Sequence, residues 1–400
     1  MSWKYISAEE FCDSVRDGTH DTPKPTLSGY KLVTSKHIKN GQINPLEAYY
    51  ISEEDYLAIN MRSCVEKWDV LMSMIGTVGE AAVVKCDPDY AIKNVALFKC
   101  SGSELKGKWL YYYLLSPEAK GKMTGNMKGS SQQFLSLKQL RALSIPVCEE
   151  RIMKRVVSIL SAYDDLIENS RKQINLLEEA AQRLYQEWFV DLCFPGYEHT
   201  KIVDGVPEGW EPCILDDVIE FDPKVRLDKD RIKQFVPMSA LSTSSMVLDM
   251  NEISETISKS GSKFQNGDTL LARITPCLEN GKTAFVHGLE SDEGAVGSTE
   301  YIVMRSKKLN PYMVYLLSRT NSFRQSAINS MSGSDGRQRV KADKLKALVY
   351  LLPPAELIHS FEQMVSPMFE MVFALNQQIF AAIQARDRLL PKLMSGEVEV

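Results

Sequence analysis

No apolar run in the chain approaches the roughly 18 residues that a bilayer-spanning helix needs. The start, Met1-Ser2-Trp3-Lys4-Tyr5, lacks the apolar stretch of a signal peptide, which points to a cytoplasmic protein without a membrane partner. Cysteine is sparse, and its eight positions (12, 64, 86, 100, 148, 193, 213 and 277) contain no Cys-x-x-Cys. Neither a zinc site nor a disulfide framework is indicated, and reduced, mostly buried thiols are expected. No histidine pair stands at metal-ligand spacing, so no metal is expected. A Gly-x-x-x-x-Gly-Lys-Ser/Thr phosphate loop is missing, and Gly76-Thr77-Val78-Gly79 is too short for a dinucleotide fingerprint. The Asn/Asp-Pro-Pro-Tyr/Phe motif of adenine methyltransferases is missing too. One enzymatic pattern stands against these absences. Pro88-Asp89 followed by Glu104-Leu105-Lys106 matches a loose Mg²⁺-dependent nuclease pattern, in which two carboxylates hold the ion and the lysine orients water.

Present instead is a long regular stripe. In alternating steps of three and four, the sequence reads Met153, Val156, Leu160, Tyr163, Ile167, Ser170, Ile174, Leu177, Ala181, Leu184 and Trp188, apolar or aromatic except at Ser170. A period of 3.5 is that of a coiled-coil seam, and a helix of this extent is about 54 Å long. So long a stripe needs an equally long partner. Adding 205 to each number gives Ile358, Phe361, Val365, Met368, Val372, Leu375, Ile379, Ala382, Arg386, Leu389 and Leu393, with Arg386 the exception. Pro367 inside this second stretch is expected to kink it or break it in two. Two matched long helices half a chain apart imply an internal repeat.

The intervening stretches repeat as well. About 1–148 mixes short strands and helices: a helix over Ser7 to Val15, a strand Tyr30 to Thr34, a turn at Asn40-Gly41, a buried strand from Asp69, and a helix from Trp109. About 206–352 retraces it, with Trp210, Phe235-Val236, Gly267 to Arg273, and Tyr312 to Leu317 at corresponding places. Tyr111 to Tyr113 read as packing rather than as a base-stacking platform. The net charge is −5, which argues against a surface that binds nucleic acid everywhere. Local blocks differ: residues 99–141 carry eight Lys/Arg against two acids, and 319–346 carry seven against two. The fold class is therefore α+β: two tandem globules joined by two long antiparallel coiled-coil helices, with a pseudo-two-fold internal repeat. Connectivity makes the helices antiparallel and sets one globule at each end.

This order resembles the specificity subunit of type I restriction–modification enzymes, over nearly the whole chain. The residues that carry the resemblance are Asp17-Gly18-Thr19-His20 with Thr22-Pro23, then Pro207-Glu208-Gly209-Trp210 with Ile214 to Val218, and the block Ile159 to Trp188 with Asp164-Asp165-Leu166-Ile167. The second helix departs from it, carrying Phe369-Glu370-Met371-Val372 in place of Asp-Asp-Leu-Ile. The resemblance implies target-recognition domains over 1–148 and 206–354, conserved spacer helices over 149–192 and 355–395, a linker over 193–205 and a tail over 396–400. It implies a non-catalytic subunit whose partners are double-stranded DNA, two modification (methyltransferase) subunits and restriction/translocase subunits. S-adenosylmethionine, ATP and Mg²⁺ are expected in those partners, with no cofactor in this chain. A strut of roughly 50 Å corresponds to about 15 base pairs between half-sites. Base-reading candidates in the first globule are Thr19, His20, Lys36, His37, Ser130, Ser131 and Gln132, with Lys128 a further DNA-binding candidate. In the second they are Arg273, Arg337, Gln338 and Arg339, since Arg suits guanine and Gln suits adenine. The competing readings are the Mg²⁺ nuclease centred on Asp89, Glu104 and Lys106, and a coiled-coil scaffold without nucleic acid.

Overall fold

The computed structural model describes residues 3–76, 78–100, 102–125, 134–228, 231–258, 260–290, 294–334 and 336–400. The chain forms two units, residues 1–165 with 382–400, and residues 166–381. The boundaries fall inside two long helices, Glu150–Tyr185 and Ala355–Ser395, so each unit contains part of both.

In the first unit, strand Lys4–Ser7 pairs antiparallel with Ser144–Val147, which brings the start of the globule beside its end. A four-stranded antiparallel sheet runs in the order Ser14–Asp17, Val95–Lys99, Val70–Ser73, Ala81–Val83. A second sheet orders Tyr50–Ile51, Tyr30–Val33 and Tyr90–Ile92, the last two parallel. Ile38–Lys39 and Gln42–Ile43 form a hairpin across Asn40-Gly41, both with positive φ (52° and 75°), as a type I′ turn requires. The expected helix from Ser7 is shorter than its sequence suggests. Ser7 Oγ accepts from the Glu10 N–H, but the helix spans only Ala8–Phe11, because Val15 is drawn into the sheet as part of Ser14–Asp17. The helix expected from Trp109 begins earlier, at Glu104, where Ser103 caps it. Tyr111, Tyr112 and Tyr113 are buried in the core, in keeping with a packing role.

The second unit repeats this plan within itself. Glu211–Ile214 pairs antiparallel with Val349–Leu352. The four-stranded sheet orders Ile219–Phe221, Tyr301–Ser306, Thr269–Ala272, Thr283–Phe285. In the second sheet Lys233–Val236 again runs parallel to its neighbour, Ala295–Gly297. Even a buried carboxylate recurs. Asp69 accepts from the Glu66 and Cys100 N–H groups and pairs with Lys99 at 2.8 Å. Asp268 accepts from the Gln265 N–H and takes Arg305 in a two-bond fork, both at 2.7 Å. A buried carboxylate left without such partners costs several kcal/mol, so each sheet carries its own cation.

The seam residues pack as their spacing predicts. In the first unit Met153, Val156 and Leu160 share a core with Leu390, Leu393 and Met394, while Tyr163 and Leu389 are half-buried. In the second unit Ile167, Ile174, Ala181 and Trp188 are buried on one helix, and Phe361, Val365, Val372, Leu375 and Ile379 on the other. Leu177, Leu184 and Met368 are half-buried. The two polar exceptions find partners across the helix pair. Ser170 Oγ donates to Gln378 Oε1 at 3.3 Å, and Arg386 Nη1 donates to Asp164 Oδ1 at 2.7 Å. Within the second unit Ser170 meets Gln378 whereas Trp188 meets Phe361, so the helices run antiparallel. Pro367 does not break the second helix, which is continuous over 41 residues. Pro367 is exposed, so the Gln363 carbonyl that loses its intrahelical N–H partner is on the solvent side of the helix.

The cysteines depart from expectation. They are free, but only Cys12 and Cys100 are buried; Cys64 and Cys86 are exposed and the other four intermediate.

Candidate nucleic-acid interface

The candidate site is built on loops that leave the ends of the two four-stranded sheets. In the first unit Asp17 ends a strand, and Gly18 passes so close to the Ile92 carbonyl that a Cβ would collide with it. That approach sets Thr19 beside Lys93 and turns His20 outward. The His20 ring spans Asp17 Oδ2 (3.1 Å) and Asn94 Oδ1 (2.7 Å), and Asp17 also pairs with Arg62. Lys36 is exposed. His37 is not available to a ligand: it is 2% exposed, and its Nδ1 accepts the Thr34 N–H at 2.9 Å. Burial, reinforced by the charge of Lys36, pushes its pKa below the usual imidazole value. Its neighbours Thr34 and Ser35 start a short helical turn, and the ring serves that turn. Lys128, Ser130, Ser131 and Gln132 lie outside the described residues.

In the second unit the corresponding loop is described at all but residue 335. Ser332 and Arg339 exchange backbone hydrogen bonds at 3.0 and 2.9 Å, and Val340 N–H donates to the Arg273 carbonyl at 2.9 Å. The hairpin so formed has positive φ at Gly333 and Gly336 and leaves Arg337 exposed. Gln338 is half-buried, its carbonyl accepting the Thr275 N–H. Arg339 and Arg273 both turn to one acid, Glu300. Arg339 donates from Nε (2.9 Å) and Nη2 (2.7 Å), while Arg273 Nε stands 3.8 Å away. These hydrogen bonds from Arg339 hold the Glu300 carboxyl below the usual carboxylate range. Sequence reading missed Glu300, because it is 39 positions from Arg339 and only the strand pairing brings them together.

Much of each basic block is engaged inside the fold. Lys108 pairs with Glu104 and Lys122 with Glu118, both at 2.7 Å, and Arg141 donates to the Val15 carbonyl. Arg319 donates to the Thr243 and Gly281 carbonyls, and Arg324 to that of Glu279. Exposed basic side chains in these blocks include Lys120, Lys138, Arg337, Lys341 and Lys344. Two of the three residues of the nuclease pattern have other partners. Glu104 is taken by Lys108, and Lys106 lies 3.9 Å from Asp13. Among the described residues no cluster of three or more His, Cys, Asp or Glu is placed to hold a metal.

One four-stranded sheet order is used twice, and each copy leads into one of the two long helices. Residues 2–179 match the family model of the type I restriction modification DNA specificity domain. The MjaIX specificity subunit of Methanocaldococcus jannaschii is 26% identical over 95% of this chain and 86% of its own length. The EcoAI specificity subunit of Escherichia coli is 31% identical over 47% of this chain and 33% of its own. In fold, the chain is like the crystal structure of a type I restriction–modification S subunit from M. genitalium, with a TM-score of 0.57 and 12% identity over 98% of this chain and 96% of that one. Residues 2–179 thus carry the type I restriction modification DNA specificity domain, and over most of its length the chain is similar to a type I specificity subunit.

Proposed function

We propose that each globule reads one half of a bipartite double-stranded DNA site, and that the paired helices set the interval and dock two modification subunits. Restriction/translocase subunits complete the complex, in the cytoplasm. S-adenosylmethionine, ATP and Mg²⁺ act in the partner subunits. The domain limits are those given by the sequence, 1–148 and 206–354 for the readers, with 149–192 and 355–395 for the spacer helices. Thr19, His20 and Lys36 serve the first reader, together with the loop at 128–132. Arg273, Arg337, Gln338 and Arg339 serve the second.

The observation that carries this reading is the strand order used twice, each copy ending in a long helix. A protein with one binding surface has no need of a duplicated reader. Phosphate contacts supply affinity and base edges supply choice, so exposed Lys at the loop margins and Arg or Gln at the tips suit the task. The test is to map methylated positions in the host genome with and without this gene. One split sequence should lose its methylation when the gene is removed. An unchanged methylation pattern, with no split sequence methylated by the purified complex, would refute the proposal.

A further inference from the structure

We infer that Glu300 is a specificity-determining residue of the second reader. It fixes the direction of Arg339 and offsets the charge of the Arg273/Arg339 pair, so that binding depends on base geometry more than on phosphate attraction. The inference rests on the DNA-reading function proposed above.

Backbone bonds bring Arg273, Glu300 and Val340, the residue after Arg339, together independently of their side chains. Arg273 N–H donates to the Glu300 carbonyl at 3.0 Å, and Val340 N–H donates to the Arg273 carbonyl at 2.9 Å. The charged side chains are neither buried nor free: Arg339 is 39% exposed, Arg273 31% and Glu300 25%. Glu300 accepts from Nε and Nη2 of Arg339, and Nη1 reaches the Arg337 carbonyl at 3.4 Å. A guanidinium has five N–H donors, so these bonds leave one on each terminal nitrogen. That remaining pair suits the O6/N7 edge of guanine. A held arginine presents this pair in one direction and has already lost its rotamer freedom. A free arginine would swing to the nearest phosphate. Arg273 Nε makes no hydrogen bond among the described residues, so a single carboxylate faces two cations.

The first unit shows that this arrangement is not required by the fold. By strand register Ser73 corresponds to Ala272 and Val95 to Tyr301, so Met74 stands for Arg273 and Asn94 for Glu300. Phe134, bridged to Ile75, stands for Arg339, which is bridged to Ile274. The same scaffold therefore holds two apolar residues and an amide in one unit, and two cations with an acid in the other.

The test compares the full chain in its complex on three duplexes: the intact split site, one with the second half scrambled, and one with the first half scrambled. Dissociation constants are measured from about 50 to 200 mM salt. Glu300→Gln should lower discrimination at the second half about tenfold, as loss of a directed bidentate contact does. It should also tighten binding to scrambled DNA and steepen the salt slope by about one, for one more phosphate neutralised. Discrimination at the first half should stay as in wild type, and Glu300→Asp should restore the slope. Arg339→Lys keeps the charge and loses the fork. It should cost second-half discrimination with little change in slope, and it serves if Glu300→Gln does not fold. Wild-type discrimination and slope in Glu300→Gln, or equal loss at both halves, would overturn the inference. A wild-type complex indifferent to scrambling either half would instead overturn the DNA-reading function itself.

Discussion

His37 shows why residue type alone misplaces function. A histidine beside a lysine in a polar loop reads as a DNA contact, yet its Nδ1 accepts the Thr34 N–H and the ring is buried. Protonation at Nδ1 breaks that bond. Burial and the Lys36 charge lower its folded-state pKa below the unfolded value of about 6.5. The unfolded chain then takes up the proton first, so the contribution to stability is full above about pH 6.5 and is lost as pH falls toward the folded pKa. The urea midpoint of the first unit should drop between pH 7.5 and 5.5, and His37→Asn, which keeps an acceptor near Nδ1, should flatten that dependence. A variant with the wild-type slope would show that another group is titrating. Arg273 and Arg339, by contrast, were legible as separate candidates, and nothing in the sequence joins them. Their shared acid was not legible, because strand register and not sequence proximity brings Glu300 to them.

At the scale of the element, the 3.5-residue spacing foretold both long helices and most of their buried faces. It did not foretell how each helix meets its own globule. In the first unit the Tyr112 hydroxyl donates to Asp164 Oδ2 at 2.7 Å while Arg386 holds Oδ1, so a polar network ties globule and helices together. The position matching Asp164 in the repeat is Phe369, which packs on Tyr312 (4.3 Å between ring centroids) and Tyr315 (6.1 Å). The departure from the Asp-Asp-Leu-Ile pattern is thus a change of contact chemistry at an equivalent junction. It also explains why Met368, a seam position, is only half-buried beside a fully buried Phe369: the helix buries a second stripe toward its globule. The Asp164–Arg386 pair is largely buried, at 20% and 17% exposed. Removing one partner strands the other, so Arg386→Ala should cost about 3 kcal/mol in thermal or urea denaturation. Replacing both, with Asp164→Leu and Arg386→Met, should recover most of that loss. Additive losses in the double variant would mean that the two groups do not act as a pair.

For the whole molecule, duplication was the strongest signal in the sequence, and one four-stranded sheet order recurs in both units. The spacer helices carry a prediction of their own. Inserting seven residues into each, one heptad at matched places, lengthens each by about 10 Å and should move the preferred half-site interval by about 3 base pairs. Methylation of libraries with varied intervals would read this directly; an unchanged preference would show that the helices do not set it. What the sequence could not show is how the chain is partitioned. The first unit needs residues 382–400, and Leu390, Leu393 and Met394 lie in its core. Gly396 lies so close to the Trp3 indole that a side chain there would collide with it. The second unit is one unbroken segment, 166–381. On the ribosome, therefore, the half whose synthesis starts first is the half that closes last: it waits, with part of its apolar interior uncovered, until residues 382–400 have been made.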